Sequence, residues 1–242
     1  MILKQKPCEN GRIMTLEYLL ENSGLPGPRG NLALLYQFTG QAEPSLVEQC
    51  LGLIKPDTAN SPQEFAGMCG VVGQAVLKKS DLPAAIAGLR PYASHASWRI
   101  REAVAIAIQE IASSGFESIL AELDAWSQGN ALEQRAVVAA LCEPKLLKNP
   151  KTNQAVLKLM ERISYAFPPE KKLASEQLSL RKTLGYGWSV LIVNHPAASR
   201  PVFETLAISQ NPNLLWIVRE NLGKSRLVKM DADWVEGLKT KI

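Results

Sequence analysis

Histidine and cysteine are scarce in this chain, and neither is arranged for chemistry. Its 242 residues hold two histidines, His95 and His195, and four cysteines, Cys8, Cys50, Cys69 and Cys142. The cysteines lie 42, 19 and 73 residues apart with no CxxC, whereas a zinc site wants paired ligands at short spacing. The expectation is therefore no metal and no cofactor, with the thiols reduced and buried as in a cytoplasmic protein. Neither histidine stands in a motif with Ser or Cys, and no G-x-S-x-G or Walker loop occurs, so no catalytic residue is assigned. Long apolar runs are missing as well. Nothing approaches the roughly 18 uninterrupted apolar residues of a membrane span, and the longest candidate is only Trp188 to Val193. The start, MILKQKPCENGR, lacks the apolar run of roughly 7–15 residues that a signal peptide needs. No membrane partner is expected. Strand signals are nearly absent too, with no apolar–polar alternation bounded by Asn-Gly or Asp-Gly turns.

What remains is material for helices. Apolar residues make up 46% and charged residues 21%, the balance of a globular chain with a core. In Ser97–Ala112, Ile100, Val104, Ile108 and Ile111 recur at i, i+4, i+8 and i+11, along one stripe of a helix. Ser97 can cap that run, and Ser113, Ser114 and Gly115 stop it. Similar segments alternate with short breaks such as Gly24–Pro28, Pro91–Ser97, Asn149-Pro150 and Asn211-Pro212. Such short connections lay sequential helices antiparallel.

The helices recur with a period. Trp98-Arg99-Ile100-Arg101-Glu102 and Trp216-Ile217-Val218-Arg219-Glu220 both read W-x-x-R-E, 118 residues apart. Arg135 and Arg181 lie between them, each early in a helix. Successive arginines 101, 135, 181 and 219 are spaced 34, 46 and 38, close to the roughly 40–47 residues of a HEAT or armadillo repeat. The pattern predicts an all-α, right-handed α-solenoid of about six antiparallel helix pairs in one domain over residues 1–242. First helices would cover 13–22, 43–55, 81–93, 115–128, 151–167 and 198–210. Second helices would cover 30–40, 61–78, 97–113, 131–142, 175–194 and 211–228, and 231–238 would cap the array.

With Ile100-Arg101-Glu102-Ala103-Val104-Ala105 and Glu133-Gln134-Arg135-Ala136-Val137-Val138, the chain resembles the HEAT-repeat superfamily, whose second helices often begin with a V-R-x-x-A-like signature. Within it the chain looks somewhat like the bacterial HEAT-like proteins that include alkylpurine DNA glycosylases. That resemblance implies a cleft of tryptophans, an aspartate and an arginine holding damaged DNA. Gln134-Arg135-Ala136-Val137 is the piece that compares with the family's arginine-bearing helix, while Asp124 and Trp126 fall on an expected first helix, facing outward.

Four groups of residues are candidates for binding. On a helix, Trp98, Arg101 and Glu102 share one stripe, as do Trp216, Arg219 and Glu220. Such rows suit a phosphate backbone, a flipped base or an acidic peptide; equally, the arginines could bridge neighbouring repeats with Trp between helix layers. Arg181, Lys182, Tyr186 and Trp188 stand close together, with Gly185 and Gly187 marking either tight helix packing or the approach of a ligand. Arg219, Lys224, Arg226 and Lys229 form a basic run that would neutralise phosphates or line a solvated surface. Charge leans the same way: residues 1–142 hold 11 Lys/Arg against 14 Asp/Glu, residues 143–242 hold 16 against 9, and the basic half invites an anionic partner. The expected function is a non-catalytic binding scaffold presenting a concave face to a protein or peptide. The alternative is DNA binding through Arg101, Arg135, Arg181, Arg219, Lys224 and Arg226, related to alkylation repair.

Overall fold

Helix starts follow the capping chemistry of the sequence. Ser61, Asp81, Ser97, Asn130, Asn149 and Asn211 each accept a hydrogen bond from a first-turn N–H, satisfying donors that the helix itself leaves open. Asn130 and Glu133 form a reciprocal capping box. Pro44, Pro62, Pro150, Pro196 and Pro212 occupy the first turn, where no N–H is needed. The computed structural model describes residues 14–55 and 57–242, and contains fourteen α-helices and no strand among them. The all-α expectation holds.

In chain order the helices are α1 (Leu16–Glu21), α2 (Leu32–Thr39), α3 (Pro44–Gly52), α4 (Pro62–Leu77), α5 (Leu82–Ala93), α6 (Trp98–Ile111), α7 (Phe116–Ser127), α8 (Ala131–Leu141), α9 (Pro150–Tyr165), α10 (Ser175–Asn194), α11 (Pro196–Ala207), α12 (Pro212–Leu222), α13 (Ser225–Met230) and α14 (Ala232–Lys239). A helix stands in every segment read as helical, with one difference. The segment 211–228 breaks into α12 and α13 because Lys224 takes an extended backbone (ψ 124°), which stops the i→i−4 ladder just after Gly223.

Two compact units divide the chain, one ending at Gly115 and the other starting at Phe116. In the first unit α4 is central, packed against α1, α2, α3, α5 and α6. In the second α10 is central, packed against α8, α9, α11, α12 and α13, while α7 lies on α8 and α9. Both central helices are thinned by glycine where neighbours press. A Cβ on Gly70 would stand 2.8 Å from the backbone nitrogen of Leu51 in α3, and one on Gly73 would meet Val47 and Phe38 at 2.6 and 2.8 Å. On α10, a Cβ at Gly185 would meet the Trp216 ring at 3.1 Å, and one at Gly187 would meet Val138 and Cys142 at 2.8 and 3.0 Å. Gly185 and Gly187 are thus accounted for by close packing of α10 against α12 and α8.

Candidate binding face

In each unit a seam of polar groups locks the central helix to a partner. In the first unit the seam joins the N-termini of α4 and α6. Glu64, only 2% exposed, accepts from Arg99 Nη1 at 3.1 Å, from the Asn60 N–H at 2.8 Å and from the Ser97 hydroxyl. Arg99 Nη2 donates to the Gly27 carbonyl at 2.9 Å and to Asn60 Oδ1 at 3.3 Å. Asn60 sits at φ +56°, a left-handed conformation that asparagine tolerates better than most residues, and its Oδ1 also accepts the Gly27 N–H. A buried carboxylate and guanidinium need such pairing and hydrogen bonding to be stable.

Trp98 stands outside this seam, 54% exposed, with the Arg99 guanidinium 4.6 Å from its ring centroid. Arg101, half-buried, donates to the His95 and Ala96 carbonyls at 2.6 and 2.7 Å, tying the loop to its own helix. Glu102 is half-buried beside it in sequence. His95 Nδ1 accepts the Ser97 N–H at 3.0 Å. Burial, then the Arg101 charge, hold the His95 pKa below its usual value, with Glu64 acting in the opposite sense.

In the second unit the seam runs between α10 and α12, and its chemistry is that of neutral amides. Asn221, fully buried, donates to the Leu184 and Ile217 carbonyls at 2.9 and 2.7 Å and accepts the Ser189 N–H at 2.8 Å. Its amide therefore lies across the α10 backbone at the Gly185–Gly187 segment. Asn213 donates to the Pro168 and Glu170 carbonyls and accepts Arg181 Nη1 at 2.8 Å. The Arg181 guanidinium lies 4.4 Å over the Trp216 ring, half-buried like Trp216 itself.

Of the residues singled out in sequence, Trp98, Arg101 and Glu102 belong to the first unit and the rest to the second. Arg181, Tyr186, Trp216, Arg219 and Glu220 come from the paired helices α10 and α12. Tyr186, Arg219, Glu220 and Arg226 are exposed, and Lys224 lies 3.7 Å from Glu220. Arg135 is half-buried on α8. Trp188 is corrected: it is fully buried, its indole N–H donates to Ser164 at 3.0 Å, and its ring packs on Phe203. It offers no surface to a partner because α10 turns that side inward.

Sequence reasoning missed the groups that hold these faces. Glu64 and Arg99 received no role from the sequence, although the spacing Ser61-x-x-Glu64 is a capping signal. Asn213 and Asn221, poor helix formers placed inside one short helix, were the other available signal. Nor did the sequence flag the pin on α14, where Arg200 stacks on Trp234 at 4.8 Å and pairs with Asp231 at 2.8 Å. Cys50, Cys69 and Cys142 are free and buried, and desolvation pushes the Cys50 and Cys142 thiols up to about 12, which keeps them protonated and unreactive. Cys8 lies outside the described residues. Among the described residues no group of three His, Cys, Asp or Glu gathers for a metal, and no helix is long and apolar enough to cross a membrane. No protein-family model, curated protein or solved structure matches this chain.

Proposed function

We propose that the protein is a non-catalytic binding scaffold of HEAT-like helix pairs, holding a protein or peptide partner on its second helices. The observation that carries this reading is the α10–α12 seam. There two buried asparagines and the close approach of α12 at Gly185 fix the helices, so that Arg181 and Trp216 are held in place with Tyr186 and Arg219 exposed on the same helix pair. Aromatic and arginine side chains held in one conformation are the residues that contribute most at protein interfaces, because little side-chain entropy is lost on binding. The succession of helices supports the repeat reading: α8, α10 and α12 adjoin in series, and α9 adjoins both α7 and α11.

The DNA reading draws on the exposed cations of α12 and α13. Its glycosylase form needs an aspartate free beside accessible tryptophans. Asp124 instead accepts from Arg162 at 2.7 Å, and Trp126 is buried, so the scaffold reading is preferred. A panel of immobilised peptides probed with the full chain, alongside anisotropy with labelled duplex DNA at about 50 mM salt, where phosphate contacts are strongest, tests the choice. Selective peptide capture without duplex binding is expected. Duplex binding that falls steeply with salt, with no peptide captured, would overturn it.

A further inference from the structure

Resting on that scaffold reading, a finer statement about the partner follows from where the charge lies. The second unit holds 17 Lys/Arg against 13 Asp/Glu. Residues Ser175–Asn194, Pro212–Leu222 and Lys224–Met230 hold six against two, and the remainder of the unit is balanced at 11 against 11. The surplus therefore belongs to α10, α12 and α13 with Lys224, which stands between the last two. Lys182, Arg219, Arg226 and Lys229 are exposed and make no ion pair among the described residues. They are interleaved with exposed apolar side chains: Leu178, Lys182 and Tyr186 follow one another at i, i+4 and i+8 on α10, and Val228 is exposed on α13.

We infer that the α10–α12–α13 face binds an acidic amphipathic peptide segment, its carboxylates on Lys182, Arg219 and Arg226 and its apolar side chains on Leu178, Tyr186 and the Arg181–Trp216 stack. Charge complementarity selects the acidic partner, since a basic segment would bring like charges together on desolvation. The covering of Trp216 argues against single-stranded nucleic acid. Arg181 already lies over the ring at 4.4 Å, and Gly185 of α10 abuts its Cζ3 and Cη2 atoms, so the face that Arg181 covers is closed to a stacking base. Glu220, exposed within the same face, repels phosphates but can be met by a lysine or an amide of a peptide.

The test is fluorescence anisotropy on the full chain with a labelled Glu/Leu-rich peptide, its Gln/Leu counterpart and a single-stranded oligonucleotide. The acidic peptide is expected to bind saturably and to weaken with salt. The double variant K182E/R219E is expected to lose at least about tenfold in affinity with an unchanged circular dichroism spectrum and Tm, because neither side chain has an ion-pair partner among the described residues. Equal binding of the Gln/Leu peptide, indifference to the charge reversal, or tighter binding of the oligonucleotide would overturn the inference. Selective capture of non-acidic sequences on the peptide panel would leave the scaffold standing and refute the acidic partner alone, whereas capture of none would refute both.

Discussion

The helix pairs α4–α6 and α10–α12 are related by the same offset of 118 residues that joins the two W-x-x-R-E motifs, yet they are held together by different chemistry. Gly67 corresponds to Gly185 under that offset. Around Gly67 the space is filled by Ile54 and Ile100, around Gly185 by Trp216 and the stem of Glu220. In the first pair a buried Glu64–Arg99 ion pair fastens the helix starts, and Trp98 is left outside. In the second pair Asn213 and Asn221 fasten the helices without a carboxylate, and Trp216 is drawn into the seam under Arg181. One motif therefore yields an exposed ring in one unit and a packed one in the other. The environment supplied by the preceding helix decides which.

Removing the clamps measures this contrast most strongly. Glu64→Ala strands the Arg99 guanidinium in a buried site and is expected to cost about 3–5 kcal/mol of stability, read by chemical denaturation. Asn221→Ala leaves the Leu184 carbonyl and the Ser189 N–H without their side-chain partner and is expected to cost about 1–3 kcal/mol. If the two variants proved equally destabilising, the distinction between a charged and a neutral seam would lose its energetic meaning. Glycine substitution probes the same comparison. A Cβ on Gly70 collides with backbone of α3, which cannot rotate away, whereas one on Gly187 meets side chains that can. Gly70→Ala is thus expected to exceed Gly187→Ala, both within about 1–3 kcal/mol, by the same measurement.

Much of this fold was legible in the sequence, and the reason is periodicity. Ile100, Val104, Ile108 and Ile111 are all essentially inaccessible, and Ser97 caps the helix they define, because a helical stripe and its cap are local properties. The break at Lys224 was not legible, since Gly223 itself is in the right-handed helical region and the interruption lies in the next residue's ψ. The sites were less legible still. Arg99 and Arg101 stand two residues apart in the same helix. What separates them is Glu64, 35 residues before Arg99, which no local window contains. The difference between Trp98 and Trp216 likewise depends on Arg181 and Gly185, on another helix.

Smaller effects sharpen the comparison further. Trp216→Ala removes a half-buried ring and its cation–π contact and is expected to destabilise by about 2 kcal/mol. Trp98→Ala should stay within about 1 kcal/mol; thermal unfolding of both variants checks the ratio. The smallest signal is a pH slope. Because the folded state holds the His95 pKa below its usual 6.5, the unfolded chain takes up the proton first as pH falls. This contribution to stability is present above pH 6.5 and is lost as the pH drops below it toward the folded-state pKa. His95→Asn, which keeps an acceptor for the Ser97 N–H, is expected to flatten the stability–pH curve below that point, measured by urea denaturation across the range.

The central claim, that the α10–α12 seam and not the exposed Trp98 meets the partner, is tested most directly on the indole N–H signals of the ¹⁵N-labelled protein, assigned with Trp98→Phe and Trp216→Phe variants. Titration with the Glu/Leu-rich peptide should shift the Trp216 signal in step with saturation and leave that of Trp98 in place. A shift of Trp98 with Trp216 unmoved would contradict the account.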